Sequence, residues 1–161
     1  MKFDYKNNRS FVKSDIYEKH KDYQLKTGDI LISMTGTAGK RDYGNVCVVD
    51  IEGKFLLNQR VGKIVPISNG IEILYLFYLL NLDEIKNDFY SNATGGVRQG
   101  NISNRQIEEI KIPLPPLETQ QQIVSQIEAE RTLVESAKKL IEIYEQKTKA
   151  VINKLWESNE R

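Results

Sequence analysis

Hydrophobic residues change their spacing several times along the chain, and each change predicts an element. Residues 1–26 are polar and dotted with aromatics, and SDIYEKH predicts a short helix capped by Ser14 and running to about Lys21. Gly28 and Asp29 turn the chain into ILISM, a β-branched strand that ends at the polar loop TGTAGKRDYGN. NVCVVD, bounded by Asn45 and Asp50, predicts a second strand, and FLLNQRVGKIVP predicts two more pieces hinged at Asn58 to Arg60. From Gly70 the period lengthens. IEILYLFYLLNLDEIKNDFY places Ile73, Leu76, Phe77 and Leu80 on one face of a buried helix. EIKIPLP then predicts an edge strand or an exit linker, because Pro113 and Pro115 exclude a central ladder position.

The last segment carries a different signal. Ile123, Ile127, Glu130, Val134, Ala137, Ile141, Tyr144, Thr148, Val151 and Leu155 recur at alternating spacings of four and three, the period of a left-handed coiled-coil seam, and Leu133 and Leu140 widen the stripe. A helix from about Glu118 to Ser158 is about 60 Å long at 1.5 Å per residue. The preceding domain is too small to cover such a face, so the seam predicts a helix from another chain as its partner, with Glu130 and Thr148 setting the register. The expected fold class is therefore a mixed α/β (α+β) domain over residues 1–116 followed by one long coiled-coil helix over 117–161.

Charge modifies this picture only slightly. The chain of 161 residues has a formal net charge of +1, but residues 1–63 carry twelve Lys and Arg against eight Asp and Glu, an excess of four. That excess is weaker than the basic footprint of a domain that binds phosphates by charge alone, so DNA binding here would need a partner or a second copy. There is no apolar signal region and no apolar run long enough to span a bilayer, so a cytoplasmic protein with no membrane partner is expected.

Little in the sequence points to catalysis. GTAGK has Met34 and Arg41 where a phosphate-cradling Walker loop needs glycine and a hydroxyl residue. The single Cys47 sits in a strand pattern and reads as buried, and the single histidine, His20, reads as a solvated side chain without a second metal ligand at helical spacing. The acidic residues form no pair suited to general acid and base roles, and neither a dinucleotide fingerprint nor an Asn-Pro-Pro-aromatic motif of adenine methyltransferases occurs. No catalytic residue, metal or cofactor is expected.

Recognition chemistry is better represented. The loop after ILISM combines Thr35, Thr37, Lys40, Arg41, Tyr43 and Asn45, which offer hydroxyls and an ammonium to phosphates and a guanidinium and an amide to base edges. Gly36, Gly39 and Gly44 allow close backbone approach, although the same residues suit an ordinary hairpin connection. Asn58, Gln59 and Arg60 form a second group able to make bidentate base contacts, with alternation turning at least one of them inward. TGGVRQGN supplies Thr94, Arg98 and Gln99 on a glycine-flexed loop, which equally suits a surface connection.

Those segments carry a family resemblance. GDILISMTGTAGK, LNQRVGKIVP and above all ATGGVRQGNISNRQIEEIKIPLPPLETQQQIVSQI resemble the recognition domain and spacer helix of the DNA specificity subunits of type I restriction-modification systems, over about residues 10–158. The run from Gly95 through Gln99, Asn101, Ile102, the IPLPPLE hinge and Gln120 matches in order. The resemblance implies a noncatalytic subunit that binds double-stranded DNA and directs a methylation subunit, and through it a restriction subunit, to a sequence. It also implies that S-adenosylmethionine is carried by the partner. Such subunits are similar to two recognition domains separated by two antiparallel helices, whereas this chain supplies one of each, and Met1 stands almost directly before SFVKSDIYEKH, where the resemblance implies a further preceding segment. The expectation is a half-size, N-terminally truncated specificity protein that homodimerises through its helix to read a bipartite target. The alternative is an interaction protein that docks on methylation or intact specificity subunits without reading DNA.

Overall fold

β-branched and aromatic runs broken by glycine and proline give a domain of short strands and helices. In the computed structural model, which describes residues 3–4, 6–7, 10–37, 39–91 and 99–159, the chain runs α1 (Ser14–Lys19), a 3₁₀ turn (Lys21–Tyr23), β1 (Gln24–Leu25), β2 (Ile30–Ser33), β3 (Thr35–Thr37), β4 (Val46–Val48), β5 (Phe55–Leu56), β6 (Val61–Ile64), α2 (Ile73–Leu80), α3 (Asp83–Ser91), β7 (Gln99–Asn101), α4 (Asn104–Glu108) and α5 (Leu117–Asn159). It divides into two compact units, Met1–Gln120 and Gln121–Arg161. The mixed α/β arrangement followed by one long helix is the fold class the sequence predicted.

β2 organises the first unit. It pairs antiparallel with β4 on one side, Leu31 opposite Cys47, and with β6 on the other, Leu31 opposite Lys63. Because side chains alternate along a strand, Ile30 and Ile32 join one core with Val46, Leu76, Leu80, Ile85, Phe89 and Ile102, while Leu31 joins another with Leu25 and Val49. Ile30, Leu31 and Ile32 are all buried, so the central strand is covered on both faces and reads as a continuous apolar run. β1 and β5 pair over the second face, Leu25 opposite Phe55.

Two local expectations need correction, one alternative is resolved and one element is new. Ser14 is the first helical residue rather than the cap. That position falls to Lys13, which makes no capping side-chain bond. The single helix predicted after Gly70 is two, α2 and α3, because Asn81 Nδ2 donates to Phe77 O at 2.9 Å and closes the last turn of α2. EIKIPLP forms no strand and is the exit linker of the two readings. Ahead of it lies the unforeseen α4, started by a capping box in which Ser103 Oγ accepts from Gln106 N and Gln106 Oε1 accepts from Ser103 N at 2.8 Å.

The start of α5 is tied down by one side chain. Gln120 is fully buried, and its Nε2 donates to Gly70 O at 2.9 Å and Pro115 O at 2.7 Å while its Oε1 accepts from Glu72 N at 3.0 Å. Glu72 is in turn the cap of α2, its Oε2 accepting from Tyr75 N at 2.6 Å, and the Tyr75 hydroxyl donates to Pro113 O at 3.1 Å. One glutamine thus fastens the proline linker and the entry to α2 to the first turn of α5.

The second unit is the rest of α5. Among its described side chains, Leu133, Val134, Leu140, Ile141, Tyr144 and Val151 are all more than half exposed. An apolar stripe of this extent on a single helix is a surface suited to a partner.

Candidate functional site

Met34 separates β2 from β3 and changes the pairing partner of the chain. Its N–H donates to Arg60 O at 2.8 Å, and its C=O accepts from Ile102 N at 2.9 Å. Beyond it β3 leaves the three-stranded sheet and pairs antiparallel with β7, Thr35 opposite Asn101, Gly36 opposite Gly100 and Thr37 opposite Gln99. The loop expected at TGT is therefore a strand, and its ladder partner is the end of the TGGVRQGN segment. Three polar segments far apart in sequence meet around the two peptide groups of one residue.

The glycine pair in this ribbon has a specific use. A Cβ on Gly36 would stand 2.8 Å from Tyr43 Cδ1, and one on Gly100 would stand 2.6 Å from Tyr43 Cε1. Real Cβ contacts are not that short, so the Tyr43 ring occupies the space that side chains on this face of the ribbon would take. Tyr43 is only 6% exposed and meets the Tyr90 ring edge-on, with centroids 5.2 Å apart and planes at 84°. Read in sequence as a contact residue, it is placed in the core beneath the ribbon. Gly100→Ala is expected to displace the ring and lower stability by about 1–3 kcal/mol, read as a shift in the chemical denaturation midpoint at unchanged slope.

The turn beyond β3 is held by Asp42. Its Oδ1 accepts from Thr37 N at 2.7 Å and its Oδ2 from Thr37 Oγ1 at 2.8 Å, while Lys40 N donates to Thr37 O at 3.0 Å. The Thr37 amide and hydroxyl hold the Asp42 carboxyl below the usual carboxylate range. This carboxylate lock is present above the ordinary carboxylate pKa and is released as pH falls through the lowered value. The Thr37 hydroxyl, expected to face a phosphate, is engaged within the turn. Lys40 and Arg41 are exposed, and the Arg41 guanidinium lies 5.0 Å from the centre of the Tyr90 ring. The Tyr90 hydroxyl donates to Tyr43 O at 3.1 Å and Arg41 O at 3.4 Å. Burial pushes the Tyr90 phenol above its ordinary pKa, partly countered by the neighbouring Arg41 charge.

Asn58, Gln59 and Arg60 are all exposed in the turn between β5 and β6, so alternation does not turn one of them inward. Asn58 Oδ1 accepts from Arg60 N at 3.0 Å, and Asn58 and Gln59 line an open cleft with His20, Tyr23 and Leu57. His20 lies at the surface against Tyr23, and Cys47, expected to be buried, is half-buried in β4, where burial raises its thiol pKa. Thr94 and Arg98 lie outside the described residues, as do the side chains of Gln99 on the ribbon and Leu155 on α5.

Sequence reasoning thus missed Met34, Asp42 and Tyr90. Asp42 had a signal, because a carboxylate five residues beyond a hydroxyl with glycine between them is a turn lock. Tyr90 had none, since it closes an apolar pattern that reads as core. Among the described residues no group of three His, Cys, Asp or Glu could hold a metal ion, and no helix is long and apolar enough to cross a membrane.

Residues 2–146 match the family model described as Type I restriction modification DNA specificity domain. Over 148 residues the chain is 32% identical to the type I restriction enzyme MjaVIII specificity subunit of Methanocaldococcus jannaschii, an alignment that covers 91% of this chain and 34% of that protein. It is 35% identical over 135 residues to the provisionally assigned MjaX specificity subunit of the same organism, covering 83% of this chain and 31% of that one. A provisionally assigned type I specificity subunit of Haemophilus influenzae is 29% identical over 133 residues, covering 79% and 31%. The chain spans about a third of the length of these relatives.

Proposed function

Because the chain belongs to the type I restriction-modification DNA specificity family, we propose that it is a noncatalytic DNA-recognition component that directs methylation and restriction subunits to a target sequence. The observation that carries this reading is the convergence on Met34, where Arg60, the β3–β7 ribbon and the turn bearing Lys40 and Arg41 come together. A two-stranded ribbon fits the major groove, where every base pair presents a distinct donor and acceptor pattern. Lys40 supplies a point charge for phosphate, and Arg41, Asn58, Gln59 and Arg60 supply the planar groups that pair with base edges. Tyr43 serves this surface by supporting the ribbon from beneath.

Pairing completes the reading. The apolar stripe of α5 through Ile123, Ile127, Val134, Ala137, Ile141, Tyr144, Val151 and Leu155 packs antiparallel on the same stripe of a second copy, and two-fold symmetry then makes the target bipartite and palindromic. The homodimer engages the methylation subunit, which brings the restriction subunit with it.

The test is selection from random duplexes by the chain with its methylation subunit. Arg60→Ala and Arg98→Ala are each expected to cost about 1–3 kcal/mol of discrimination at one base position. Unchanged selection would remove their segments from the interface. One observation favours a second reading, in which the chain docks on methylation or intact specificity subunits without reading DNA: its basic excess is only four charges over residues 1–63. A stable complex with the methylation subunit that selects no sequence would establish that alternative.

A further inference from the structure

The turn between β3 and β4 contains a guanidinium held against an aromatic ring. Arg41 is exposed, yet its charged group rests over the Tyr90 ring at 5.0 Å, and the Tyr90 hydroxyl holds the carbonyls on either side of Asp42. Held against the ring, the guanidinium has less freedom to lose when two parallel hydrogen bonds form. Lys40, one residue earlier, is exposed and carries a compact point charge suited to the less directional task of meeting a phosphate. Asp42 keeps a carboxylate one residue beyond Arg41, locked onto Thr37. That negative charge disfavours a phosphate oxygen close by.

We infer that Arg41 is a specificity-determining residue that pairs with O6 and N7 of a guanine in the major groove, and that Tyr90 is the positioning residue that presents it. The inference deepens the recognition role proposed above and rests on it. Tyr90 comes from helix α3 and touches the reading residue rather than the DNA, so target choice would depend on a side chain outside the contacting strands.

The experiment is base-by-base selection from a random duplex pool by the full chain with its methylation subunit, comparing the unaltered protein with Arg41→Ala, Arg41→Lys, Tyr90→Leu and Tyr90→Phe. Arg41→Ala is expected to lose about 5- to 150-fold discrimination at one G·C position and little elsewhere. Arg41→Lys keeps overall affinity but loses the same preference, because an ammonium cannot make the paired contact. Tyr90→Leu reproduces the loss, and Tyr90→Phe, which keeps the ring face, retains most of the preference. Combined with Arg41→Ala, Tyr90→Leu adds nothing further at that position. Should Tyr90→Leu fail to fold, as judged by circular dichroism, Tyr90→Phe and Arg41→Lys still decide the matter.

A uniform fall in affinity for all sequences, with the salt dependence reduced by about one ion, would make Arg41 a phosphate contact and overturn the inference. So would additive effects of the two positions. If the unaltered protein selects no sequence, the recognition role itself fails and the inference falls with it. If the unaltered protein selects a site and the Arg41 variants select it equally well, only the inference fails.

Discussion

Ile127→Asp combined with Ile141→Asp is expected to halve the mass of the protein in light scattering, from two chains to one, and to abolish selection of a split site. Both residues lie on the α5 stripe; Ile141 is 60% exposed in the single chain, Ile127 is half-buried, and neither belongs to the two core clusters of the first unit. In a two-helix seam each change would bury a carboxylate with no partner, and one such uncompensated charge costs about 3–5 kcal/mol. With two per helix and two helices, association weakens by far more than a thousandfold, beyond working concentrations. Helical circular dichroism in the monomer separates lost pairing from lost folding in the domain, whose strands and short helices keep their own signal. A pair of chains that persists in the double variant would refute the seam, and the bipartite target would lose its physical basis.

Gln120→Leu is expected to be strongly destabilising, lowering the unfolding free energy by about 3–6 kcal/mol. Leucine matches the buried volume closely, so the loss is one of hydrogen bonding rather than packing. Three backbone groups, Gly70 O, Pro115 O and Glu72 N–H, lose their partner together, and each buried polar group left unpaired costs about 1–3 kcal/mol. Against a typical total of about 5–15 kcal/mol, such a loss leaves little margin. Gln120→Glu is expected to be no milder near physiological pH, because a carboxylate can still accept from Glu72 N–H but cannot donate to the two carbonyls and sets an unpaired charge against them in a fully buried site. The midpoint of chemical denaturation is expected to fall for both variants, with glutamate at or below leucine near physiological pH. Equal midpoints for all three would show that water replaces the lost bonds at little cost.

The parts of this fold that could be read in the sequence are those whose side chains carry a period. Ile30, Leu31 and Ile32 announce a strand buried on both faces, and the four-and-three spacing from Ile123 onward announces α5 because a long helix repeats its signal many times. β1 and β5 are two residues each, shorter than any period. The ribbon was hidden for a different reason. Thr35–Thr37 and Gln99–Asn101 contain glycines and polar residues with no apolar alternation, and their pairing is enforced from outside by Met34 and by the Tyr43 ring. The break between α2 and α3 was concealed by apolar residues that continue through it, while Asp83 and Glu84 at the start of α3 were the available sign. At the site, the chemistry of each segment was legible but their adjacency was not, because adjacency rests on contacts between residues far apart in sequence.

On the recognition role proposed above, the sharing of Met34 between two neighbours restricts how a protein of this design can acquire a new target. A residue inserted between Leu57 and Arg60, or between Gly100 and Ile102, would shift which carbonyl or amide reaches Met34 and carry the other segments out of register with it. Exchanges at exposed positions such as Lys40, Arg41 and Gln59 leave those peptide bonds in place. New specificities are therefore expected to arise by replacing side chains on a framework of fixed length, one base preference at a time, and a library that varies residue identity should yield functional readers far more often than one that varies segment length.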